Sequence, residues 1–223
     1  MSETLQFTSA WENFIIGPPH NRRGVLRHRL GPLNLSVTQF ISTNLGPGQV
    51  LIGYFQDEAS LSLDTWSVRA PLIELRKLLE SSRLAEMIKD RPVAHVRRGD
   101  YLTAPAAVHT FGSIRPAYYH EAFEQLNSRT QDAVFFTDDP AYVMDTFRVR
   151  PEQVVGPGQT STDLESLLFM SLGKALVIPN STFSWWAAEL MENQNTIIAP
   201  QEWFRDDRSE FTLARSSWKK LPN

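Results

Sequence analysis

From about Ala70, apolar positions fall at helical spacing: Leu72, Leu75, Leu78, Leu79, Leu84, Met87 and Ile88 recur with charges between them. Beyond them short apolar runs alternate with helical patterns. Pro92–Val96 reads as a strand, Pro116–Leu126 as a helix, and Ala133–Thr137 as a buried strand. Pro140–Phe147 reads as a short helix with Asp139 as N-cap and Pro140 in the first position. Val154–Val155 follows as a strand. Thr162-Asp-Leu-Glu165 has the form of a capping box opening a helix to Leu172. Ala175–Ile178, Thr182–Met191 and Thr196–Ala199 complete a strand, helix, strand series. Strands that are apolar on both faces, separated by helices, imply an α/β fold with a covered parallel sheet, Rossmann-like in layout. Residues 1–65 differ. Gly17-Pro18-Pro19, Gly31-Pro32 and Gly46-Pro47-Gly48 punctuate apolar stretches at Leu33–Ile41 and Val50–Phe55, which read as short strands and turns.

In a sheet of this kind ligands sit beyond the carboxyl ends of the strands. Those positions are polar here. Arg97, Arg98, Gly99 and Asp100 follow the first strand of the series; Thr137, Asp138 and Asp139 follow the second; Asn180, Ser181 and Thr182 follow the strand at Ala175–Ile178. Arginines grip a diphosphate through forked, charge-assisted hydrogen bonds. A helix start rich in Ser and Thr adds oriented N–H donors for an anion. A carboxylate accepts from the N–H groups of a purine such as guanine. Each piece also has a plainer reading. Arg97-Arg98 fits a solvated pair beside an Asp salt bridge, Asp138-Asp139 and Asn180-Ser181 fit helix caps, Glu165 fits its capping box, and His95, Trp185 and Trp186 fit core positions.

Composition narrows the function classes. Lysines and arginines number 22 against 25 Asp and Glu, a net charge of −3, which argues against a surface built to coat nucleic acid. There is no Cys, hence no disulfide framework, thiolate metal site or Cys nucleophile. No apolar run approaches the roughly 18 residues of a membrane span. The opening MSETLQFTSAWENF lacks the basic and apolar regions of a signal peptide. A cytoplasmic chain is expected, with peripheral placement at an inner membrane compatible; a Golgi-luminal domain excised from its anchor would read the same way. No D-x-D metal clamp, P-loop, zinc helix or G-x-S-x-G elbow is present. Arg98-Gly99-Asp100 spells a common adhesion tripeptide too short to carry weight.

His95-Val-Arg97-Arg98-Gly-Asp100-Tyr101 resembles the H-x-R-R-x-D motif of the α-1,2-fucosyltransferases and their α-1,6 and protein-O-fucosyltransferase relatives. Four further blocks resemble the same family in order. They are Gly53-Tyr54-Phe55-Gln56, Phe136-Thr137-Asp138-Asp139, the stretch from Asp163 to Leu172 with Asn180-Ser-Thr-Phe183-Ser184-Trp185-Trp186, and Ile198-Ala199-Pro200 with Trp203-Phe204.

The resemblance implies a GT-B-like glycosyltransferase that takes fucose from GDP-β-L-fucose, with inversion, to a galactoside hydroxyl of a glycan, α-1,2 linkage foremost, and without a metal. By position it implies that Arg97 and Arg98 hold the β-phosphate and that His95 and Asp139 lie near the nucleoside. Asp139 reads guanine, or Asp138 one register away, and the turn from Asn180 through Ser181, Thr182 and Ser184 faces the diphosphate or fucose. Asp100 is the candidate base. The family's Gly-rich opening segment, G-G-L-G-N-Q, has no counterpart here, and only 94 residues precede His95. The expected organisation is therefore a reduced, acceptor-side segment at 1–69 and a Rossmann-like donor domain at 70–223, with an oligomeric partner compatible. The competing readings are a non-catalytic nucleotide-sugar or glycan-binding module of the same fold, and a Rossmann-like enzyme using another nucleotide.

Overall fold

The computed structural model describes residues 65–205 and 212–223 together with three short strands before them. The chain divides into two compact units, Met1–Thr65 and Trp66–Asn223. In the first unit, β1 (Phe14–Ile15), β2 (Val25–Leu26) and β3 (Val50–Gly53) form a small sheet with β3 in the middle, antiparallel to β1 and parallel to β2. The strand expected at Leu33–Ile41, and the Tyr54–Gln56 part of the first family block, lie outside the described residues.

The helical pattern near residue 70 resolves into two helices, α1 (Thr65–Leu79) and α2 (Arg83–Ile88). The break has a local cause. Ser82 takes extended backbone angles and its hydroxyl accepts the Ala85 N–H at 3.2 Å, so a new helix is capped before the apolar spacing has ended. The series continues with β4 (Pro92–Val96), α3 (Gly99–Thr103), α4 (Pro105–Thr110), α5 (Pro116–Gln125), β5 (Val134–Thr137), α6 (Pro140–Phe147), β6 (Val154–Val155), α7 (Asp163–Met170), β7 (Ala175–Val177), α8 (Thr182–Glu189), β8 (Ile197–Pro200) and β9 (Lys219–Leu221). The capping box is half formed. The Thr162 hydroxyl accepts from Glu165 N–H, but the Glu165 carboxylate reaches past Thr162 to the Ser161 N–H at 2.7 Å.

Strands β4 to β9 make one parallel sheet in the order β6-β5-β4-β7-β8-β9. The chain builds outward from β4 through β5 to β6, then returns past β4 and builds the other way from β7. This is the doubly wound, Rossmann-like order, and its topological switch point lies between β4 and β7. On one face Ala94, Val96, Phe135, Val177 and Ile198 pack against Tyr118, Tyr119 and Phe123 of α5 and Val143 and Phe147 of α6. Each large apolar side chain so buried contributes roughly 1.5–3 kcal/mol. The two tyrosines are buried without orphaning their hydroxyls: Tyr118 donates to the Ile178 carbonyl at 2.7 Å, and Tyr119 to the His95 carbonyl at 3.0 Å. Helix α7 packs on β4 and on α8 across the opposite face. Gly173, just before β7, is held to glycine by closeness, since a Cβ there would stand 2.6 Å from the Val93 side chain.

Candidate active site

The register of β4 against β5 builds the site. Val96 pairs with Thr137, so the residues that follow emerge side by side: Arg97 beside Asp138, and Arg98 beside Asp139. Each arginine meets one carboxylate. Arg97 Nη1 lies 2.9 Å from Asp138 Oδ2 as an off-axis ion pair, and its Nη2 donates to Asp100 Oδ1 at 2.6 Å. Arg98 Nε donates to Asp139 Oδ2 at 3.0 Å, and its guanidinium carbon sits 3.4 Å from the Tyr142 ring centroid. Asp138 Oδ1 also accepts the Arg98 backbone N–H at 2.9 Å. Asp139 is the N-cap of α6, as its sequence position implies, with Oδ1 accepting the Tyr142 N–H at 3.1 Å. Both acidic candidates therefore serve the arginines, and Asp139 serves its helix as well.

The two arginines are not equivalent. Both terminal nitrogens of Arg97 face carboxylates, whereas among the described residues only the Nε of Arg98 has a hydrogen-bond partner. Among the described residues the outer fork of Arg98 is the uncommitted donor pair at this strand edge. Asp100, the candidate base, is spent on Arg97 in the first turn of α3.

On the far side of the switch point the expected anion turn is arranged differently from a simple cap. Asn180 is buried and its amide donates to the carbonyls of Phe111 at 3.0 Å and Trp203 at 3.1 Å, tying the α4 end and the segment after β8 to the end of β7. Ser181 occupies the N-cap position of α8, but its side chain makes no capping bond and its N–H is turned to the Pro179 carbonyl. Thr182 is half-buried at the helix start. Ser184 does not face a cleft: it is fully buried and its hydroxyl donates to the Ser181 carbonyl at 3.3 Å. Trp185 is core; Trp186 is half-buried.

His95 is likewise inside. It lies at 5% exposure with its ring edge-on to Phe183 of α8, and Nδ1 has no partner. Burial, and then the nearby Arg97 charge, push its pKa from 6.5 down to about 3, so the imidazole is neutral at pH 7 and is no cation for a phosphate. Among the described residues no group of three or more His, Asp or Glu side chains is placed to share a metal ion.

Two contributors were not singled out from sequence. Tyr142, one turn into α6, supplies the platform under Arg98; its only signal was its place three residues after an N-cap Asp. Tyr101 crosses the switch point, donating to the Asn180 carbonyl at 3.0 Å while its ring stacks on Phe111.

The model of the family described as glycosyl transferase family 11 matches residues 53–221. The O-antigen biosynthesis glycosyltransferase WbnK of Escherichia coli is 30% identical over 187 residues, covering 78% of this chain and 61% of that protein. An α-1,2-colitosyltransferase of Escherichia coli is 28% identical over 180 residues, covering 76% and 61% respectively. The chain thus spans about three-fifths of the length of these relatives. No solved structure matches. Among the described residues no helix is long and apolar enough to cross a membrane. The family match, running from the end of β3 to the last residue of β9 in a chain that folds as a doubly wound sheet, places this chain in glycosyl transferase family 11.

Proposed function

We propose that the chain is an inverting fucosyltransferase, moving L-fucose from GDP-β-L-fucose to a galactoside hydroxyl of a glycan in an α-1,2 linkage. The observation that carries this reading is the Arg98 fork at the carboxyl end of β4, beside the topological switch point, with no protein partner on its outer nitrogens among the described residues. Arg97 and Arg98 hold the diphosphate. Asp138 and Asp139 line the nucleoside side, and Asn180, Ser181 and Thr182 form the wall across the switch point.

In the reaction the bond from fucose C1 to the β-phosphate oxygen breaks as the acceptor oxygen bonds to C1 from the opposite face, and the acceptor hydroxyl's proton is released to solvent. Positive character grows on the sugar ring and negative charge on the departing GDP. Fixed cationic donors aimed at that leaving oxygen stabilise the transition state more than the ground state. Arg98 is placed for this, and Arg97 adds its charge from within its carboxylate pair. Asp100 is assigned to Arg97 rather than to the acceptor proton. The reading needs no metal: the arginines meet the leaving charge.

The colitosyltransferase relative favours a second reading, in which the same site and linkage serve a colitosyl donor of the same nucleotide. A non-catalytic module would show binding alone. Incubation of the protein with radiolabelled GDP-fucose and lactose or N-acetyllactosamine, with and without EDTA, tests these together. Labelled trisaccharide formed equally under both conditions is expected. Transfer from a GDP-colitose donor only moves the reading to the second sugar, GDP binding without transfer to any acceptor supports the module, and a strict Mn²⁺ requirement overturns the metal-free assignment.

A further inference from the structure

We infer that Asp138 is a positioning residue that presets the Arg97–Arg98 turn for a nucleoside diphosphate, and that Gly99 is glycine to make room for it. The inference rests on the diphosphate reading above but assigns Asp138 a different task from reading a base. One carboxylate governs two consecutive residues. Oδ1 fixes the backbone of Arg98 through its N–H, and Oδ2 holds the guanidinium of Arg97. With the backbone of Arg98 fixed from one side and its Nε held by Asp139 from the other, the outer fork of Arg98 has little freedom left to lose when an anion binds. Ordering a long side chain otherwise costs binding energy, so this preorganisation appears as affinity.

Gly99 gives independent support. A Cβ built there would stand 2.7 Å from Asp138 Oδ2. Its backbone has no need of a left-handed conformation. Space for the carboxylate is thus what residue 99 supplies, and a larger residue there would force the Asp138 carboxylate to shift against Arg97. Asp138 is also poorly placed to read guanine, because both of its oxygens already face the arginine turn.

The test is calorimetric titration of the wild type, Asp138→Asn and Gly99→Ala with GDP, UDP and ADP, each paired with a melting curve. Asp138→Asn keeps an oxygen for the Arg98 N–H but loses the charge that holds Arg97. Both variants are expected to weaken the preferred diphosphate at least tenfold, with preference among the three bases retained. In a Gly99→Ala, Asp138→Ala double variant the clash is absent, so its affinity should match that of Asp138→Ala alone. A carboxylate with a merely structural role would lower the melting temperature and leave the folded protein's affinity unchanged; that result overturns the assignment, as does failure of both single variants to fold. Lost preference for GDP in Asp138→Asn would return the residue to base reading. A wild type that prefers UDP or ADP overturns the guanine-nucleotide reading and leaves Asp138 to be judged on that ligand; one that binds none of them overturns both.

Discussion

The central guanidinium carbon of Arg98 lies over Tyr142, 3.4 Å from the ring centroid. The contact joins the turn after β4 to α6 and gives the proposed diphosphate-binding fork an aromatic platform. A cation over an aromatic face contributes about 0.5–1 kcal/mol at partly exposed sites. Tyr142→Leu keeps an apolar surface and removes the quadrupole. It should weaken GDP roughly two- to fivefold, a change equal to that energy, with little effect on melting. Calorimetry checks this; unchanged affinity would mean that Asp139 alone orients Arg98.

The unequal environments of the two arginines make a sharper comparison. Losing a charge-assisted hydrogen bond costs about 1.5–3 kcal/mol. Arg98→Ala removes the uncommitted fork and should weaken GDP by tenfold to more than a hundredfold. Arg97→Ala removes a guanidinium already engaged by Asp100 and Asp138, and leaves those carboxylates without their cation. Its loss of affinity should be smaller than that of Arg98→Ala and accompanied by a larger drop in melting temperature. The reverse order of affinities would show that Arg97 turns away from its carboxylates to grip the donor.

Much of this site was legible because parallel strands convert sequence offsets into neighbours. The segments Arg97–Asp100 and Asn180–Thr182 follow wholly buried strands, Thr137–Asp139 starts on the last residue of another, and the structure brings them to one edge. Pro140 and Asp139 gave the start of α6 outright. The elements that escaped are those with no room for a period. Helices α3 and α4 are five and six residues long, too short for an apolar face to repeat. Strand β9 reads Lys-Lys-Leu because it is an edge strand with one neighbour, where charge is tolerated and useful. Ser184 misled for a different reason. It sits in a block whose resemblance covers the whole helix, and only the side-chain direction along α8 separates its wall from its interior.

Asn180 is the tie between three separate segments. Its amide nitrogen satisfies the carbonyls of Phe111 and Trp203, while its own carbonyl oxygen in the backbone receives Tyr101. Asn180→Ala would leave the buried Trp203 carbonyl and the partly buried Phe111 carbonyl unpaired, at about 1–3 kcal/mol for a buried group left without a partner. The expected result is a loss of about 2–4 kcal/mol in urea unfolding at pH 7, a value that stays within the range set by two such groups. Asn180→Asp keeps the size but exchanges the donor nitrogen for an oxygen, and should be at least as destabilising. If both variants unfold like the wild type, water has replaced the amide and the segment after β8 is held by other contacts.

His95 sets a pH dependence whose direction follows from its burial. The folded protein holds the imidazole neutral down to about pH 3, while the unfolded chain takes up a proton near 6.5. Between those values the unfolded state binds more protons, so stability rises with pH. The contribution of a neutral His95 is complete above pH 6.5 and is lost as pH falls from 6.5 toward 3. The slope is about 1.4 kcal/mol for each pH unit in that window. Carboxylates elsewhere also titrate there, so the informative quantity is a difference. His95→Leu fills the space against Phe183 and cannot be protonated, and the other groups cancel between the two proteins. Urea unfolding at pH 7.5, 6.5, 5.5 and 4.5 should show the wild type losing stability relative to His95→Leu only below 6.5, by roughly 3 kcal/mol at pH 4.5. In parallel, the ring signals of His95 in an NMR titration should stay at their neutral positions through pH 5. Parallel pH curves for the two proteins, or a ring that titrates near 6.5, would mean that the imidazole reaches water and is free to meet the donor.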